Sequence, residues 1–476
     1  MMNLNTTASA IGLGIMLGQG VAVSAMAAEN ATNQPNILLI LADDLGYEDL
    51  GFQGSDHIPT PNIDWLASQS MRFTDAHVTA SVCSPSRAGL MTGRYQQRFG
   101  HEGNVPPRPY GMDPAERTMA DALRDCGYRT AAIGKWHLGD EAEHYPNARG
   151  FDMFWGLREG SRSYWYNPQG SDKPGDAHGI EHNGKQVSFE GHLTDRLADR
   201  AIEFIKADRE KPYFVFLSFT APHGPLQASP EDLKAIGSDD NYAGLVYGLD
   251  RNIGRVLDLI KANGDIDNTI IWFLSDNGGT VRQASNLPLG GKKGFKFEGG
   301  HRVPFLFYWK GKIPAGSEYH KMISSMDIFP TSVVAAGGSL EQARRLDGVD
   351  LMPYVKGEIK KVPHEKLFWR KLDCAAVRAG DWKLIRVNGY GNALYDLSKD
   401  LAEEHDLSKQ MPEKTLQMQQ LLEGWEQDKM SPIWDEGDYW RYHRYVYHTK
   451  KIKDGKNPTV KRSEVRKLMK QKVLEK

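Results

Sequence analysis

Four short runs of apolar residues stand out along the chain, at 37–42, 130–133, 213–219 and 269–274. Each run is apolar at nearly every position, which is typical of strands in a parallel sheet that helices cover on both faces. A fifth run at 303–309 is interrupted by Pro304. Apolar residues also recur at helical spacing over 242–263, before a glycine at 264. Strands that alternate with helices predict an α/β fold.

The pattern changes near Leu367. Short strand-like runs follow at 367–369, 375–379, 382–387 and 393–397, and turn residues separate them. The clearest turns are Gly380-Asp381 and Asn388-Gly389, and a helical segment follows at 412–427. Closely spaced strands with short turns predict antiparallel pairing. We therefore expect a large mixed, mostly parallel sheet sandwiched by helices, with a smaller C-terminal domain made of an antiparallel sheet and a helix.

The first residues have the features of an export signal. Residues 10–28 are small and apolar and end in Ala25-Met26-Ala27, an A-x-A cleavage pattern, although no Lys or Arg precedes the apolar stretch. We expect a signal peptide at 1–27 and a periplasmic or secreted protein. Nowhere else is a segment long and apolar enough to cross a bilayer.

Composition narrows the possible functions. The 476 residues are 40% apolar and carry 59 Lys and Arg against 61 Asp and Glu, which excludes a disordered chain and gives no overall attraction to nucleic acid. Three cysteines are too few for a disulfide scaffold. The last 26 residues contain ten Lys and Arg and three Asp and Glu, so the chain ends in a basic tail.

Polar residues follow each of the four apolar runs. Asp43-Asp44 follow the first run and residues 134–139, with Lys135 and His137, follow the second. His223 comes after the third run, and Asp276-Asn277 come after the fourth. Because ligands bind beyond the carboxyl ends of strands in open parallel sheets, these four segments predict one site.

The carboxylates of this site suggest a hard cation. Asp43, Asp44, Asp276 and Asn277 offer only oxygen atoms, which suit Ca²⁺ or Mg²⁺, whereas Zn²⁺ prefers His and Cys. Asp43-Asp44 alone would be more typical of a turn or helix cap. The second acidic segment on another strand favours a metal site.

Cys83 opens the segment Cys83-Ser84-Pro85-Ser86-Arg87, which leads to Leu90-Met91-Thr92-Gly93-Arg94. A lone cysteine is most often a small buried apolar residue. Here the proline predicts a helix start, and the helix N-terminus together with Arg87 would favour an anion beside Cys83.

These two segments resemble the signature of the formylglycine-dependent sulfatases of the alkaline phosphatase superfamily. The resemblance extends from Pro35 to about Leu407. It also includes the segments at 43–44, 59–64, 134–139, 150–152, 221–223, 275–279 and 293–300.

The resemblance implies the chemistry of the site. A separate maturation enzyme would oxidise Cys83 to formylglycine, whose hydrate attacks the sulfur of a sulfate ester. One Ca²⁺ per subunit, with Mg²⁺ as the alternative, would be bound by Asp43, Asp44, Cys83, Asp276 and Asn277. By the same resemblance, Arg87 orients the nucleophile, Lys135 and Lys293 bind sulfate oxygens, His223 protonates the leaving alcohol, and His137 takes a proton when sulfate is expelled. From the change of pattern near Leu367, the export signal and the basic C-terminal residues, we expect a signal peptide at 1–27, a catalytic domain at 34–362, a small α+β domain at 363–449 and a basic tail at 450–476.

The substrate has to be inferred from other residues. Arg158, Arg162, Tyr164 and Trp165 are candidate sugar-binding residues, because aromatic faces stack on sugar rings and arginine binds anionic groups. For a second aromatic cluster at 434–447, packing between domains is the favoured interpretation. We expect an anionic polysaccharide or its oligosaccharides, with an algal galactan such as carrageenan favoured over a glycosaminoglycan. The alternatives are a phosphodiester or phosphonate hydrolase, which Asn277 disfavours because such relatives tend to have His there, and a glycan-binding protein with an inactive site.

Overall fold

The computed structural model describes residues 34–104, 106–107, 109–280, 284–472 and 474. The expected signal peptide lies outside these residues. The strands, in chain order, are β1 Asn36–Ala42, β2 Met71–Phe73, β3 Ala76–His77, β4 Arg129–Lys135, β5 Met153–Leu157, β6 Glu181–His182, β7 Lys185–Gln186, β8 Tyr213–Ser218, β9 Thr269–Ser275, β10 Phe305–Tyr308, β11 Glu318–Tyr319, β12 Ile323–Ser324, β13 Lys366–Lys371, β14 Cys374–Ala379, β15 Trp382–Val387 and β16 Gly391–Asp396.

Helices alternate with the strands of the first three quarters of the chain. The α-helices are α1 Pro61–Gln69, α2 Cys83–Thr92, α3 Met119–Asp125, α4 Leu193–Ala207, α5 Pro230–Ile236, α6 Asn241–Ala262, α7 Glu298–His301, α8 Ile328–Ala335, α9 Met352–Val355, α10 Pro412–Glu426, α11 Asp438–Asp454 and α12 Arg462–Lys470. Short 3-10 helices lie at Gly51–Gln53, Gln96–Phe99, Ala142–His144, Pro146–Arg149, Ile266–Asn268 and Ser325–Asp327.

A ten-stranded sheet forms the centre of the molecule, in the order β11-β2-β10-β9-β1-β8-β4-β5-β6-β7. The five strands β9, β1, β8, β4 and β5 pair in parallel, and β10 joins β9 antiparallel. The four apolar runs predicted from the sequence are the four central strands β9, β1, β8 and β4. The prediction of a mixed, mostly parallel sheet is therefore confirmed.

Helices cover both faces of this sheet. Alternate residues of β1 face opposite sides, so Leu38 and Ile40 belong to one buried cluster and Leu39 and Leu41 to the other. Helices α1, α4 and α6 bury their apolar faces in the first cluster, and α2, α3 and α8 bury theirs in the second. The long helix predicted at 242–263 is observed as α6.

The C-terminal part contains a second sheet of four antiparallel strands, β13-β14-β15-β16. This confirms the predicted antiparallel sheet, and α10 is the predicted helix. Helix α10 packs on one face of the sheet through Met418 and Leu422. The other face packs on Phe295 and Phe297 of the preceding part and on α11. The second sheet therefore packs against Phe295 and Phe297, which follow Lys293 in the chain.

No helix among the described residues is long and apolar enough to span a membrane. Part of the expected basic tail is helical, because α11 extends to Asp454 and α12 covers Arg462–Lys470. Val465 is the buried residue of α12. Lys450 pairs with Glu464 at 2.7 Å, which ties the two helices together.

Candidate active site

Three carboxylates and one amide lie together at the carboxyl edge of the large sheet. Asp43 and Asp44 follow β1, and Asp276 and Asn277 follow the neighbouring strand β9; all four are buried. The backbone N–H of Asp44 donates to Asp276 Oδ1 at 3.3 Å, and Asn277 Nδ2 donates to Asp44 Oδ1 at 2.7 Å. The two strand ends therefore form a single acidic cluster.

The donor atoms of this cluster fit a divalent cation. Ligand atoms of two of its members, Asp43 and Asp44, lie within 4.8 Å of one another and of those of Cys83 and His223. The buried Asn277 Oδ1 has no hydrogen-bond partner among the described residues, so it is available to a cation. Burial, together with the charge of Asp43, raises the pKa of Asp276. A bound cation would offset that repulsion, and a set rich in oxygen suits Ca²⁺ or Mg²⁺.

Cys83 is the first residue of α2, a helix whose residues are all buried. Its Sγ lies 3.5 Å from Asp43 Oδ1 and accepts a hydrogen bond from Lys293 Nζ at 3.0 Å. Burial, reinforced by the negative charge of Asp276, raises the pKa of the Cys83 thiol to about 12. The helix start thus places residue 83 against both the acidic cluster and a lysine.

Three cations pair with the three carboxylates. Lys135 Nζ lies 2.6 Å from Asp43 Oδ2, and Lys293 Nζ lies 2.5 Å from Asp44 Oδ1. Arg87 Nε donates to Asp276 Oδ2 at 2.9 Å. Arg87 and Lys135 are fully buried. Burial alone would disfavour these positive charges, but each one is stabilised by a carboxylate partner. Positive charge is therefore kept close to Cys83.

Two histidines complete the site. His137 is buried, and neither of its ring nitrogens has a hydrogen-bond partner among the described residues. Burial, with the charges of Lys135 and Arg87, lowers the pKa of His137 well below its usual range, so its ring is neutral. His223 is half-buried; its Nδ1 lies 2.6 Å from the Gly224 carbonyl oxygen, and its Nε2 lies 3.6 Å from Asp44 Oδ2.

A cavity of about 830 Å³ opens over these residues. Asp44, His223 and Lys293 line it, together with Trp440 and His443 of α11. The cavity therefore lies between the carboxyl edge of the large sheet and the C-terminal part of the chain. Its volume is within the range of sites that enclose a small ligand.

Residues 35–338 match the sequence profile described as Sulfatase. The chain belongs to the sulfatase family. A second profile, described as N-sulphoglucosamine sulphohydrolase, C-terminal, matches residues 292–430 of this sulfatase. The two profiles overlap at the segment that contains Lys293. Together with the mixed sheet, they identify a type I sulfatase of the alkaline phosphatase superfamily, and hence a sulfuric ester hydrolase.

This sulfatase is similar to characterised relatives over most of its length. It is 32% identical to arylsulfatase G of Rattus norvegicus over 449 residues, which cover 81% of this chain and 85% of the relative. It is 33% identical to N-acetylgalactosamine-6-sulfatase of Homo sapiens over 350 residues, 69% of this chain and 67% of the relative. Among solved structures, Ps i-CgsB is 38% identical with a TM-score of 0.80, covering 84% of this chain and 94% of that one. Ps i-CgsB has also been crystallised in complex with k-i-k-neocarrahexaose; that structure is 37% identical with the same TM-score, covering 85% and 95%.

The sulfatase fold brings all of the predicted metal-binding and catalytic residues together around Cys83. The four predicted substrate-binding residues are not brought into the cavity. Arg162 forms a buried ion pair with Asp172 at 2.6 Å, and Arg158 pairs with Glu181 at 2.9 Å. The buried Tyr164 hydroxyl donates to the backbone oxygen of Thr220 at 2.8 Å. Trp165 is 36% exposed and lies edge-on to His192.

The sequence interpretation missed three residues that support the site. Ser218 Oγ accepts from Arg87 Nη1 at 2.6 Å and donates to the Lys135 carbonyl oxygen at 2.8 Å. Ser84 Oγ donates to the His137 carbonyl oxygen at 2.7 Å. A Cβ on Gly160 would lie 2.6 Å from the His137 ring, so a larger residue there would displace the ring. Ser218 ends β8 at the carboxyl edge, a position that could have identified it; no sequence signal marks Gly160.

Proposed function

We propose that this sulfatase removes sulfate from a sulfated polysaccharide or its oligosaccharides, and that the substrate is an algal galactan such as carrageenan rather than a glycosaminoglycan. Two lysines, Lys135 and Lys293, lie close to Cys83 under a cavity that α11 helps to line, and this grouping is the main support for the proposal. The likeness to a structure that contains a neocarrahexaose supports the choice of galactan.

Residue 83 would provide the nucleophile after oxidation of Cys83 to formylglycine by a separate maturation enzyme. The hydrated aldehyde would supply the oxygen that attacks sulfur. The position of residue 83 supports this role, because Asp43 and Lys293 both contact its side chain. Arg87 would orient the nucleophile indirectly, by fixing Asp276 next to it.

One Ca²⁺ per subunit, or Mg²⁺ in its place, would be held by Asp43, Asp44, Asp276, Asn277 and residue 83. When bound, the cation would neutralise sulfate oxygens and make the attacking hydroxyl more acidic. The unpartnered Asn277 Oδ1 supports this assignment.

Lys135 and Lys293 would hold the sulfate group of the substrate. An ammonium has three N–H donors, so each lysine can keep its carboxylate partner and donate another hydrogen bond to a sulfate oxygen. As negative charge moves onto the sulfate and its leaving oxygen, these fixed positive charges would stabilise the transition state.

The histidines would move protons on two sides of the reaction. Because His223 Nδ1 faces a carbonyl oxygen, it carries a hydrogen, and Nε2 is the atom that would protonate the leaving alcohol. His137 would act as a base when sulfate is expelled. Its neutral ring and two unpartnered nitrogens support that role.

The place of action would be outside the cytoplasm. A signal peptide at 1–27 would be cleaved, and the protein would be exported to the periplasm or the medium, where a polymeric substrate is accessible. Residues 34–362 would then form the catalytic domain and 363–449 the small C-terminal domain, followed by the basic tail at 450–476.

The proposal is tested by comparing rates on defined substrates with protein in which residue 83 has been converted. We expect sulfate release from carrageenan oligosaccharides to exceed release from chondroitin or heparin oligosaccharides, and aryl phosphonate to be hydrolysed far more slowly than aryl sulfate. Faster sulfate release from glycosaminoglycan oligosaccharides would refute a galactan as the substrate. Faster hydrolysis of aryl phosphonate than of aryl sulfate would refute a sulfate ester as the substrate.

A further inference from the structure

Helix α11 presents an exposed aromatic ring to the cavity. Trp440 lies in the first turn of α11 and is 53% exposed, although a tryptophan side chain is highly buried on average. His443 and Arg444 follow at helical spacing and line the same cavity. The residues of α11 that face inward, such as Tyr442 and Tyr447, are buried instead. The exposed indole therefore belongs to the wall of the active-site cavity and not to the packing between domains.

Neighbouring rings hold the Trp440 indole in place. Tyr439 lies edge-on to it at 5.4 Å between ring centroids, and His443 lies edge-on at 5.7 Å. His443 is in turn 5.9 Å from Phe295, two residues after the catalytic Lys293. An indole held in this way loses little conformational freedom when a ligand packs on it, which favours binding.

Lys292 supplies an unpaired positive charge on the same wall. None of the carboxylates in the described part of the chain forms an ion pair with Lys292, and burial lowers its pKa without an opposing charge. Its Nζ lies 5.6 Å from the centre of the Tyr447 ring. By contrast, Lys371 and Arg444 in this wall are paired with Glu436, at 3.0 and 2.7 Å. Lys292 is therefore able to bind an anionic group of a ligand.

Asp435, a carboxylate that lines the cavity, would determine how a sulfated ligand is oriented there. Asp435 lines the cavity and accepts a hydrogen bond from the Gly437 N–H at 2.9 Å. It would accept hydrogen bonds from sugar hydroxyls and would repel a sulfate. A second sulfate on the substrate is therefore favoured near Lys292 and disfavoured near Asp435.

We propose that Trp440 and Lys292 form a subsite for the sugar that adjoins the one being desulfated. The apolar face of that sugar would pack on the Trp440 indole, and a sulfate on that sugar would bind the Lys292 ammonium. The subsite rests on the proposed function, because it presumes a sulfated saccharide substrate. It makes the enzyme selective for oligosaccharides over isolated sulfated monosaccharides and for adjoining sugars that are both sulfated.

Steady-state kinetics on three substrates test the subsite: an aryl sulfate, a galactan oligosaccharide with one sulfate, and the same oligosaccharide with sulfate on two adjoining sugars. For Trp440→Ala we expect KM for both oligosaccharides to rise about tenfold, the loss of a single aromatic contact, with aryl sulfate turnover unchanged. Trp440→Phe keeps an aromatic face and should restore most of the affinity. Lys292→Gln should remove the preference for the doubly sulfated oligosaccharide, and Lys361→Gln, an exposed lysine outside the cavity, should not. Unchanged KM values in Trp440→Ala, or an equal loss on aryl sulfate, would overturn the subsite.

Binding measurements separate the subsite from the proposed function. In the Cys83→Ala background, calorimetry with the doubly sulfated oligosaccharide reports affinity without turnover. Weaker binding after Trp440→Ala supports the subsite even if no galactan is hydrolysed. Equal binding with and without Trp440 refutes the subsite even if the galactan is a good substrate.

Discussion

Lys383 and Glu298 form a fully buried ion pair that joins the second sheet to α7, with 2.9 Å between Nζ and Oε1. Lys383 lies in β15 of the second sheet, whereas Glu298 begins α7, five residues after Lys293. Burial raises the pKa of Glu298, but the charges of Lys383 and Arg378 outweigh it and hold the pKa well below its usual range. The same lysine reaches Glu403 at 2.8 Å. The segment that carries Lys293, for which we propose sulfate binding, is thus held against the second sheet by ion pairs inside the protein.

Replacing Lys383 should strongly destabilise the fold. Lys383→Met leaves Glu298 and Glu403 buried without their shared cation, and breaking such a pair costs roughly 3–5 kcal/mol. Urea unfolding should show this loss. Lys399→Met, which removes the exposed partner of Asp396, should change the free energy of unfolding by no more than about 0.5 kcal/mol. Similar effects in the two variants would contradict the role of the buried pair.

Lys296 should make the free energy of unfolding rise with pH above neutrality. Its side chain is buried, its Nζ has no hydrogen-bond partner among the described residues, and burial with the charge of Lys371 lowers its pKa from 10.5 to about 7. The unfolded chain therefore binds more protons at this group between about pH 7 and 10, so its contribution to stability rises with pH there.

The variant Lys296→Met measures this effect as a difference. Below pH 7 the variant should be more stable than the parent protein, because no ammonium has to be buried or deprotonated on folding. The advantage should shrink as the pH rises from 7 to about 10. Melting temperatures across this range provide the measurement, with the exposed Lys321→Met as the control. A variant that is less stable at pH 6 would show that Lys296 has a favourable partner.

Removing divalent cations should abolish activity and lower the melting temperature. Although each of Asp43, Asp44 and Asp276 also pairs with a lysine or arginine, the three carboxylates are buried side by side, and a bound cation would reduce their mutual repulsion. A cation at 1,000 times its Kd would stabilise the native state by about 4 kcal/mol. We expect chelator-treated protein to recover on addition of Ca²⁺, and Asn277→Ala to require a higher Ca²⁺ concentration. Full activity after exhaustive chelation would contradict the cation site.

Lys135 should contribute strongly to the rate, although its side chain is buried and does not line the cavity. Loss of one fixed charge on the reacting group costs about 10²- to 10³-fold in kcat. We expect Lys135→Ala to show a loss of this size on aryl sulfate, whereas Lys310→Ala, which removes an exposed partner of Asp267, should leave kcat unchanged. A kcat within about threefold of the parent enzyme would exclude Lys135 from sulfate binding.

The sequence predicted the parts of the fold that depend on local pattern. The four central strands are apolar on both faces, and polar residues after strands in one parallel sheet necessarily meet at one edge, so Asp43 and Asp276 could be paired before the structure was known. Pairing across distant segments leaves no such pattern. Nothing near Lys383 indicates that it would bind Glu298, 85 residues away.

Substrate-binding residues were harder to predict for a related reason. Arg162 looked available for an anionic ligand, but Asp172 neutralises it within the protein. In α11, exposed Trp440 and buried Tyr442 lie in one aromatic run, and only the packing of the helix on the second sheet distinguishes them. Type and spacing of residues indicate the chemistry of a site, whereas exposure decides which of them meet a ligand.

Above all, we propose that residue 83, as formylglycine, releases sulfate from a sulfated galactan. The most direct test co-expresses the chain with a formylglycine-generating enzyme, verifies residue 83 by peptide mass spectrometry, and measures free sulfate from carrageenan oligosaccharides by ion chromatography. We predict sulfate release that scales with the converted fraction of Cys83 and is absent in Cys83→Ala. Sulfate release by Cys83→Ala at the parent rate, or no release by fully converted protein, would contradict the account.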